Sequence, residues 1–251
     1  MKKIFALLLC LALLSVSVLS LAEAAGDKDY VIGKGKLVVG ITDFEPMDYK
    51  NEAGEWIGFD ADLARAFAAS LGVEIEFQEI DWDNKALELD SKNIDCVWNG
   101  MTLTDEVLSA MTCSKAYMNN AQVVVLPAAR IAEFGTVESL ASLTFAAEAG
   151  SAGEAVLQGL GYSVNAVQNQ AAALMEVKAG TSDAAVIDSL MAAAMVGEGT
   201  SYADLAYTLP LNDEQYGVGF RKDSDLAAAL QDGSLLQIAE TYGVQAALIT
   251  E

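Results

Sequence analysis

Short apolar runs and amphipathic runs alternate along most of this chain. The apolar, β-branched runs predict strands over residues 36–42, 73–80, 94–98, 121–128, 143–150, 162–167, 182–188 and 215–222. Runs with helical spacing predict helices over 58–72, with Asp60 as its cap, over 83–90, from Ala152 onward, and over 169–180, 189–197, 225–233 and 234–243. Strands that alternate with helices are typical of an α/β fold with largely parallel sheets.

Two segments combine a strand, a glycine turn and the start of a helix. They are "VWNGMTLTDEV", in which Asn99-Gly100 is predicted to end the strand, and "TFAAEAGSAGEAVLQGL". Such a turn directs backbone N–H groups and a helix N-terminus toward one point, which suits an anionic group of a ligand. Glycine is also common in these turns for steric reasons alone. Together with the acidic turn "VIDS", the two segments favour a shared cleft beyond the carboxyl ends of the strands.

The first residues have the composition of an export signal. Lys2-Lys3 precede the apolar run "IFALLLCLALLSVSVLSLA", and Ala22-Glu23-Ala24 provides a small-x-small cleavage site. A membrane anchor is the alternative, since the run is nearly long enough to span a bilayer. We expect cleavage after Ala24 and no lipidation, because Cys10 lies inside the apolar run. The protein is then periplasmic or secreted, and soluble.

The charge of the chain narrows the classes of partner. The whole chain has 14 basic and 36 acidic residues. Removal of residues 1–24 takes away two lysines and one glutamate, which leaves 12 and 35 and a net charge of −23. So acidic a protein is not expected to bind nucleic acid or anionic lipid. The chain has no histidine, which removes the commonest general base and zinc ligand, and we predict neither a metal nor a cofactor.

Two cysteines remain after cleavage, Cys96 and Cys113. Cysteines of exported proteins are usually paired, so a disulfide between them is predicted. It would close a short loop and contribute roughly 3 kcal/mol. Two buried thiols are the alternative.

Five segments, in this order along the chain, resemble one family. They are "KLVVGITDFEPMDYKNEAGEWIGFDADLARAFAASLGVEIEF", "IDCVWNGMTLTDEV", "AAEAGSAGE", "SDAAVIDSLMAA" and "EQYGVGFRKDSDL". They are similar to the segments of family 3 extracellular solute-binding proteins, which serve ABC transporters of polar amino acids. The resemblance covers nearly all of the chain after the signal.

The resemblance implies a two-lobed fold of the type 2 periplasmic binding class. Each lobe is a mainly parallel sheet flanked by helices, and two crossover strands join the lobes. Lobe 1 is expected over residues 25–118 and 215–251, lobe 2 over 121–212, and the hinge over 119–122 and 208–214. A monomer is expected to close on a small-molecule ligand, an amino acid or an amine, and to present it to an ABC transporter permease.

The resemblance also implies roles for residues of the first lobe. Phe44 corresponds to the aromatic residue that stacks over the ligand, and Trp82 to a large side chain that faces it. Asn99, Gly100 and Thr102 correspond to the turn whose backbone and hydroxyl groups meet the ligand. Core packing is the alternative role for the two aromatic residues.

In the second lobe, Ser151 and Ala152 correspond to the turn that offers N–H groups to the ligand's carboxylate. Asp188 corresponds to the carboxylate that holds the α-ammonium, although it is also placed to cap the helix after it. Asp43 corresponds to an acidic group near the ligand's side chain, across a gap in the alignment.

The chain departs from the family where the ligand's carboxylate is held. Val107 occupies the position of an arginine that forms a bidentate pair, and Glu148 replaces a neutral pocket residue. Three readings stay open. The ligand is an amino acid whose carboxylate is held by N–H groups and another cation such as Lys115, or it is a cationic amine or basic amino acid held by Asp188, Glu148 and Asp43. In the third reading the protein is a ligand sensor that is not coupled to transport. A dehydratase-like enzyme that uses the Glu148 and Asp188 carboxyl groups is a further alternative, but we predict a binding protein.

Overall fold

The computed structural model describes residues 26–230 and 235–249. The predicted signal peptide, its predicted cleavage site and Cys10 lie outside these residues. In the part of the chain that is described, no helix is both long and apolar enough to cross a membrane.

The first sheet gathers strands from both ends of the described chain. Its strands are β1 Lys36–Ile41, β4 Glu74–Glu79, β5 Cys96–Thr102, β6 Thr112–Cys113, β7 Met118–Asn120 and β13 Glu214–Phe220. They lie in the order β4-β1-β5-β13-β6, and β7 also pairs with β13. A hairpin of β2 Tyr49–Lys50 and β3 Trp56–Ile57 stands beside this sheet. We call this sheet with its helices lobe 1.

The second sheet is built from the middle of the chain. Its strands are β8 Gln122–Pro127, β9 Thr144–Glu148, β10 Ser163–Val167, β11 Ala184–Asp188 and β12 Leu205–Pro210. They lie in the order β10-β9-β11-β8-β12. We call this sheet with its helices lobe 2. The chain crosses between the lobes twice, between β7 and β8 and between β12 and β13.

Helices follow most of the parallel strands. The α-helices are α1 Asp27–Lys34, α2 Phe59–Leu71, α3 Lys85–Asp90, α4 Asp105–Ala110, α5 Ala152–Gly159, α6 Gln170–Ala179, α7 Ser189–Met195, α8 Leu226–Ala229 and α9 Leu235–Tyr242, and 3₁₀ turns cover Trp82–Asn84, Ala128–Glu133, Val137–Ser142 and Gln245–Ala247. Helix α2 shows how the apolar spacing works, because its buried face, which includes Leu63 and Phe67, packs on β5 and on α9. Phe67 meets the rings of Trp98 and Phe220 there.

The predicted two-lobed α/β fold is confirmed. Strand pairing in each sheet is mixed: β1 pairs in parallel with β4 and β5, and β9 pairs in parallel with β10 and β11. The antiparallel pairings come from the strands next to the crossings, since β13 runs against β5, and β8 runs against β11 and β12. The return of the chain between lobes therefore produces the antiparallel half of each sheet.

Two local predictions are wrong. The strand that begins at Cys96 does not end at Asn99-Gly100 but continues to Thr102. Asp60 does not cap helix α2, whose N-cap is Gly58. Instead Asp60 is fully buried and accepts hydrogen bonds from the Gly100 N–H (2.6 Å) and the Tyr117 hydroxyl (2.8 Å). A buried carboxylate thus ties the helix to the strand that the turn was expected to interrupt.

The disulfide predicted between Cys96 and Cys113 does not form in this structure, where both cysteines are free. Strand β13 separates them, because Cys96 on β5 pairs with Phe220 and Cys113 on β6 pairs with Gly219. Two strand spacings amount to roughly 9–10 Å. A disulfide requires Cα atoms within about 7 Å. The alternative of two thiols, one buried and one partly buried, describes the structure.

A buried ion-pair cluster joins the N-terminal helix to the first sheet. Asp95 is fully buried and accepts the Val38 N–H (2.7 Å), while its oxygens pair with Lys34 (2.6 Å) and Arg221 (3.3 Å). Arg221 also pairs with Asp27 at 2.9 Å. Because the cluster links α1, β1 and the end of β13, it fixes segments that are far apart in sequence.

Asp95→Asn should destabilise the protein by about 3 kcal/mol or more, because removal of one partner leaves buried charges uncompensated. Chemical denaturation of the purified protein measures the free energy of unfolding. The matched control is Glu76→Gln, which removes an exposed ion pair with Lys36 on the same sheet and should leave the midpoint unchanged. Equal effects of the two substitutions would contradict the role given to the buried cluster.

Candidate ligand-binding site

A cleft of about 730 Å³ lies between the two lobes. Lobe 1 contributes the residues that follow β1 and the carboxyl end of β5, and lobe 2 contributes the ends of β9 and β11. The carboxyl ends of the parallel strands thus face one space, as the sequence predicted for a shared cleft. Nine of the ten candidate ligand residues line it: Phe44, Trp82, Asn99, Gly100, Thr102, Glu148, Ser151, Ala152 and Asp188.

The remaining candidate, Asp43, does not line the cleft and is exposed. Lys115, which was considered as a carboxylate-binding cation, is likewise exposed and outside the lining. The structure therefore does not bring either residue together with the other candidates.

Two aromatic side chains form walls of the cleft. Phe44 is 2 % exposed and meets Tyr216 edge to face, with 6.4 Å between the ring centroids. Trp82 is also buried, and the Lys85 ammonium lies 5.1 Å from its ring centroid. Both aromatic residues are buried in the core and also line the cleft.

The close approach of Phe44 depends on Gly100. Gly100 has a φ of +54°, and a Cβ there would come within 2.5 Å of the Phe44 ring. Its N–H is directed at Asp60, so it is engaged inside lobe 1. The neighbouring polar groups are engaged too: the Thr102 hydroxyl donates to Glu214 (2.9 Å), and the Asn99 amide donates to Asp48 (2.9 Å). In this structure the end of strand β5 forms part of the cleft wall, while its polar groups bind protein partners.

Asp188 lies at the floor of the cleft and is held by four side chains. Its Oδ1 accepts hydrogen bonds from the amides of Asn120 and Gln122 and from the Tyr216 hydroxyl, and its Oδ2 accepts one from the amide of Gln170. Burial and the nearby Glu214 carboxylate raise its pKa to about 8, although the hydrogen bonds from Tyr216, Gln170 and Gln122 oppose the shift. Asp188 makes no capping bond to helix α7, so the capping role weighed for it is not seen.

The turn between β9 and α5 presents the start of a helix to the same space. Ser151 caps the helix by accepting the Glu154 N–H at 3.1 Å. The Gly150 N–H donates to the Glu154 carboxylate at 2.7 Å. Ala152 and Gly153 begin the helix, so their N–H groups have no acceptor within it and are suited to an anion.

Glu148 ends strand β9 and is only 3 % exposed. Its Oε1 has no hydrogen-bond partner among the described residues. Burial, with a further contribution from Asp188, raises its pKa to about 8, and Thr42, Lys85 and Gln170 lower it only in part. A buried acceptor without a partner is uncommon in folded proteins.

The position where the family has an arginine is apolar here. Val107 is 6 % exposed, lines the cleft and packs in one cluster with Trp82, Met101 and Met111. Lys85 is the one basic residue among the lining residues that the structure describes. It reaches across the mouth of the cleft, where its ammonium donates to the Gly150 carbonyl of lobe 2 at 2.9 Å. Burial lowers the pKa of this lysine.

The cleft as a whole is acidic. Six carboxyl groups line it, against the single ammonium of Lys85: Asp83, Asp105, Glu106, Glu148, Glu154 and Asp188. Within the described residues, no three metal-ligating side chains come together as a metal site. The electrostatics of the cleft therefore favour a ligand that carries positive charge.

Sequence analysis missed the four residues whose side chains hold Asp188. Gln170 binds Asp188 twice, because its carbonyl also accepts the Asp188 N–H at 2.8 Å. It stands just after a strand and at the start of helix α6, which is the pattern that revealed the other two turns. Asn120, Gln122 and Tyr216 carried no such signal, since they lie within or beside crossing strands.

The sequence profile of one family matches residues 37–245 of this chain, and the family is described as bacterial extracellular solute-binding proteins, family 3. The chain belongs to this family. Members bind small solutes outside the cytoplasm, and the cleft between the lobes is where such a solute fits. The chain is thus a solute-binding protein of the kind that serves ABC importers.

Individual relatives agree with the family. The arginine-binding extracellular protein ArtP of Bacillus subtilis is 30% identical over 203 residues, which are 77% of each chain. The histidine-bound substrate-binding protein of an ABC uptake transporter from Streptococcus pneumoniae has a TM-score of 0.80 and 28% identity, and the match covers 89% of this chain and 99% of that one. Cyclohexadienyl dehydratase of Pseudomonas aeruginosa is 28% identical over 134 residues, 53% of this chain and 49% of that protein. The family therefore consists mostly of binding proteins and includes an enzyme.

The unliganded protein should lose thermal stability as pH rises. The pKa of Asp60 is raised to about 7, and those of Glu148 and Asp188 are raised to about 8, in each case chiefly by burial. In the unfolded chain these groups titrate near pH 4. Between these values the folded protein binds more protons than the unfolded chain, so its stability decreases as pH increases from about 4 to about 8.

Melting temperature measured across this pH range checks the expectation. Glu148→Gln removes one of the three groups, and its profile should be flatter than that of the natural sequence. A melting temperature that increases steadily toward pH 8 would contradict the assignment.

Proposed function

We propose that this family 3 solute-binding protein holds an α-amino acid between its lobes and delivers it to an ABC transporter permease. The observation that carries the proposal is that two sites of opposite preference line one cleft. Asp188 offers a carboxylate for the ligand's α-ammonium, and the start of helix α5 offers N–H groups for its α-carboxylate. The relatives that are named for binding arginine or histidine support an amino acid as the ligand class.

Lys85 supplies the positive charge that Val107 does not. Its ammonium already lies at Gly150, directly before the helix start that receives the carboxylate. A lysine is a point charge and forms no bidentate pair, so the carboxylate is held less specifically than by an arginine. Lys85 comes from lobe 1 and Ala152 from lobe 2, and a ligand carboxylate between them stabilises the closed form.

A cationic amine without a carboxylate is the second candidate. Six carboxyl groups and one ammonium group line the cleft, and this excess of acidic groups favours a cationic amine. The two candidates differ in whether the ligand's carboxylate contributes to affinity.

We assign the protein to the binding members of the family rather than to its enzymes. Asp188 is held by four donors, which suits a fixed anchor better than a proton carrier. The proposal also includes export through the signal at residues 1–24, cleavage after Ala24 without lipidation, and action as a monomer. Turnover of a cyclic carboxylate by the purified protein would contradict this assignment.

Asp188→Asn should weaken the binding of amino acids by about 30-fold or more, because truncation of one partner in a buried charge pair costs roughly 2–5 kcal/mol. Thermal-shift screening identifies the ligands, since a tight ligand increases the melting temperature, and calorimetry then gives the affinities.

The amines that lack the carboxylate should bind less tightly than the matching amino acids. Arginine should therefore bind more tightly than agmatine, and lysine more tightly than cadaverine. Equal binding of both members of each pair would favour the amine reading instead.

Lys85→Met should weaken the binding of arginine by about tenfold and leave that of agmatine unchanged, because only arginine has a carboxylate to pair with the ammonium. Adding Val107→Arg to this variant should restore the loss, since it places a cation at the family's usual position. The role of Lys85 is refuted if both ligands lose affinity equally, because the lysine would then act only by joining the lobes.

A further inference from the structure

The two buried carboxyl groups of lobe 2 that line the cleft are not equivalent. Asp188 already accepts four side-chain donors, three at Oδ1 and one at Oδ2, and its Oδ2 is the oxygen left to receive the α-ammonium that the proposed function assigns to it. Glu148 lies on the neighbouring strand and keeps one oxygen without any partner among the described residues. The lobe therefore holds a second acceptor that the α-ammonium does not use.

No described residue supplies a donor to the Glu148 Oε1, although hydrogen bonding by Thr42 and Gln170 lowers the pKa of this carboxyl group. The charge of Lys85 lowers that pKa too, but the Lys85 ammonium donates to the carbonyls of Trp82 (3.2 Å) and Gly150 (2.9 Å). A buried carboxylate without a donor costs free energy. A group of the ligand is then the natural source of that donor.

The surroundings select the charge of that group. Asp188 is close enough to Glu148 to raise its pKa, so a negatively charged group between them would be repelled. A cationic donor would favour the ionised forms of both carboxyl groups, and a hydrogen bond that involves charged groups is about twice as strong as a neutral one. Thr42 and Gln170 line the same part of the cleft and are able to orient the donor.

We propose that Glu148 is a specificity-determining residue that selects ligands with a positively charged side chain by pairing with the ligand's guanidinium or ammonium group. The inference rests on the proposed function, and it narrows the ligand class from amino acids in general to basic amino acids. The family resemblance implies a neutral residue at this position, so the Glu148 carboxyl group is a departure of this chain from that pattern.

Arginine and citrulline test the proposal, because citrulline has nearly the same shape but an uncharged side chain. Calorimetry of both ligands is carried out on the natural protein, on Glu148→Gln and on Glu198→Gln. Glu148→Gln preserves the side-chain shape and removes the charge. Glu198→Gln makes the same substitution at an exposed residue of lobe 2 that does not line the cleft, and it is the matched control.

The natural protein should bind arginine at least about tenfold more tightly than citrulline, and Glu148→Gln should reduce that ratio by about tenfold. Glu198→Gln should keep the ratio within about twofold. Citrulline binding by the Glu148→Gln protein confirms that its cleft is intact.

The proposal is overturned if Glu148→Gln leaves the ratio unchanged, or if the control reduces it equally. It is also overturned if the natural protein prefers citrulline or an acidic amino acid. If no amino acid binds to any of the three proteins, the proposed function fails and this inference fails with it. If amino acids bind but the ratio does not depend on Glu148, only this inference fails.

Discussion

The structure depends on two amide side chains that serve two carboxylates at once. Asn120 and Gln122 lie on either side of the first crossing between the lobes, and each donates both to Asp188 of lobe 2 and to Glu214, the first residue of β13 after the second crossing. The floor of the cleft and both crossings are therefore parts of one hydrogen-bond network. A ligand ammonium that pairs with Asp188 changes the charge that this network shares, which connects binding with the arrangement of the lobes.

The departures of this chain from the pattern that its family resemblance implies change the charge of the cleft. An apolar Val107 removes a fixed cation, and Glu148 adds a buried carboxyl group on the opposite lobe. Both changes move the cleft in the same direction, toward a ligand that brings its own positive charge. Lys85 keeps one cation at the helix start, where a carboxylate is still favourable. A basic amino acid satisfies all of these groups, whereas a neutral amino acid leaves Glu148 without a partner.

The hydrophobic period predicted most strands and helices because each element buries one face, as Leu63 and Phe67 do in α2. The two strand–glycine–helix segments predicted a shared cleft at the strand ends, and the family resemblance supplied most of the candidate residues that line it. The hydrophobic period did not predict that Asp60 binds the Gly100 N–H, since a buried carboxylate and a helix cap look alike in sequence. The cysteine pairing failed because strand order is not visible in spacing, and Gln170 was missed although the strand-to-helix pattern was present.

A crystal structure of the protein with arginine tests the central claim most directly. The account predicts closed lobes with the α-ammonium on Asp188, the α-carboxylate between Lys85 and the N–H groups of Ala152 and Gly153, and the guanidinium on Glu148. Electron density that places the guanidinium away from Glu148, or the α-carboxylate away from the start of helix α5, would contradict it.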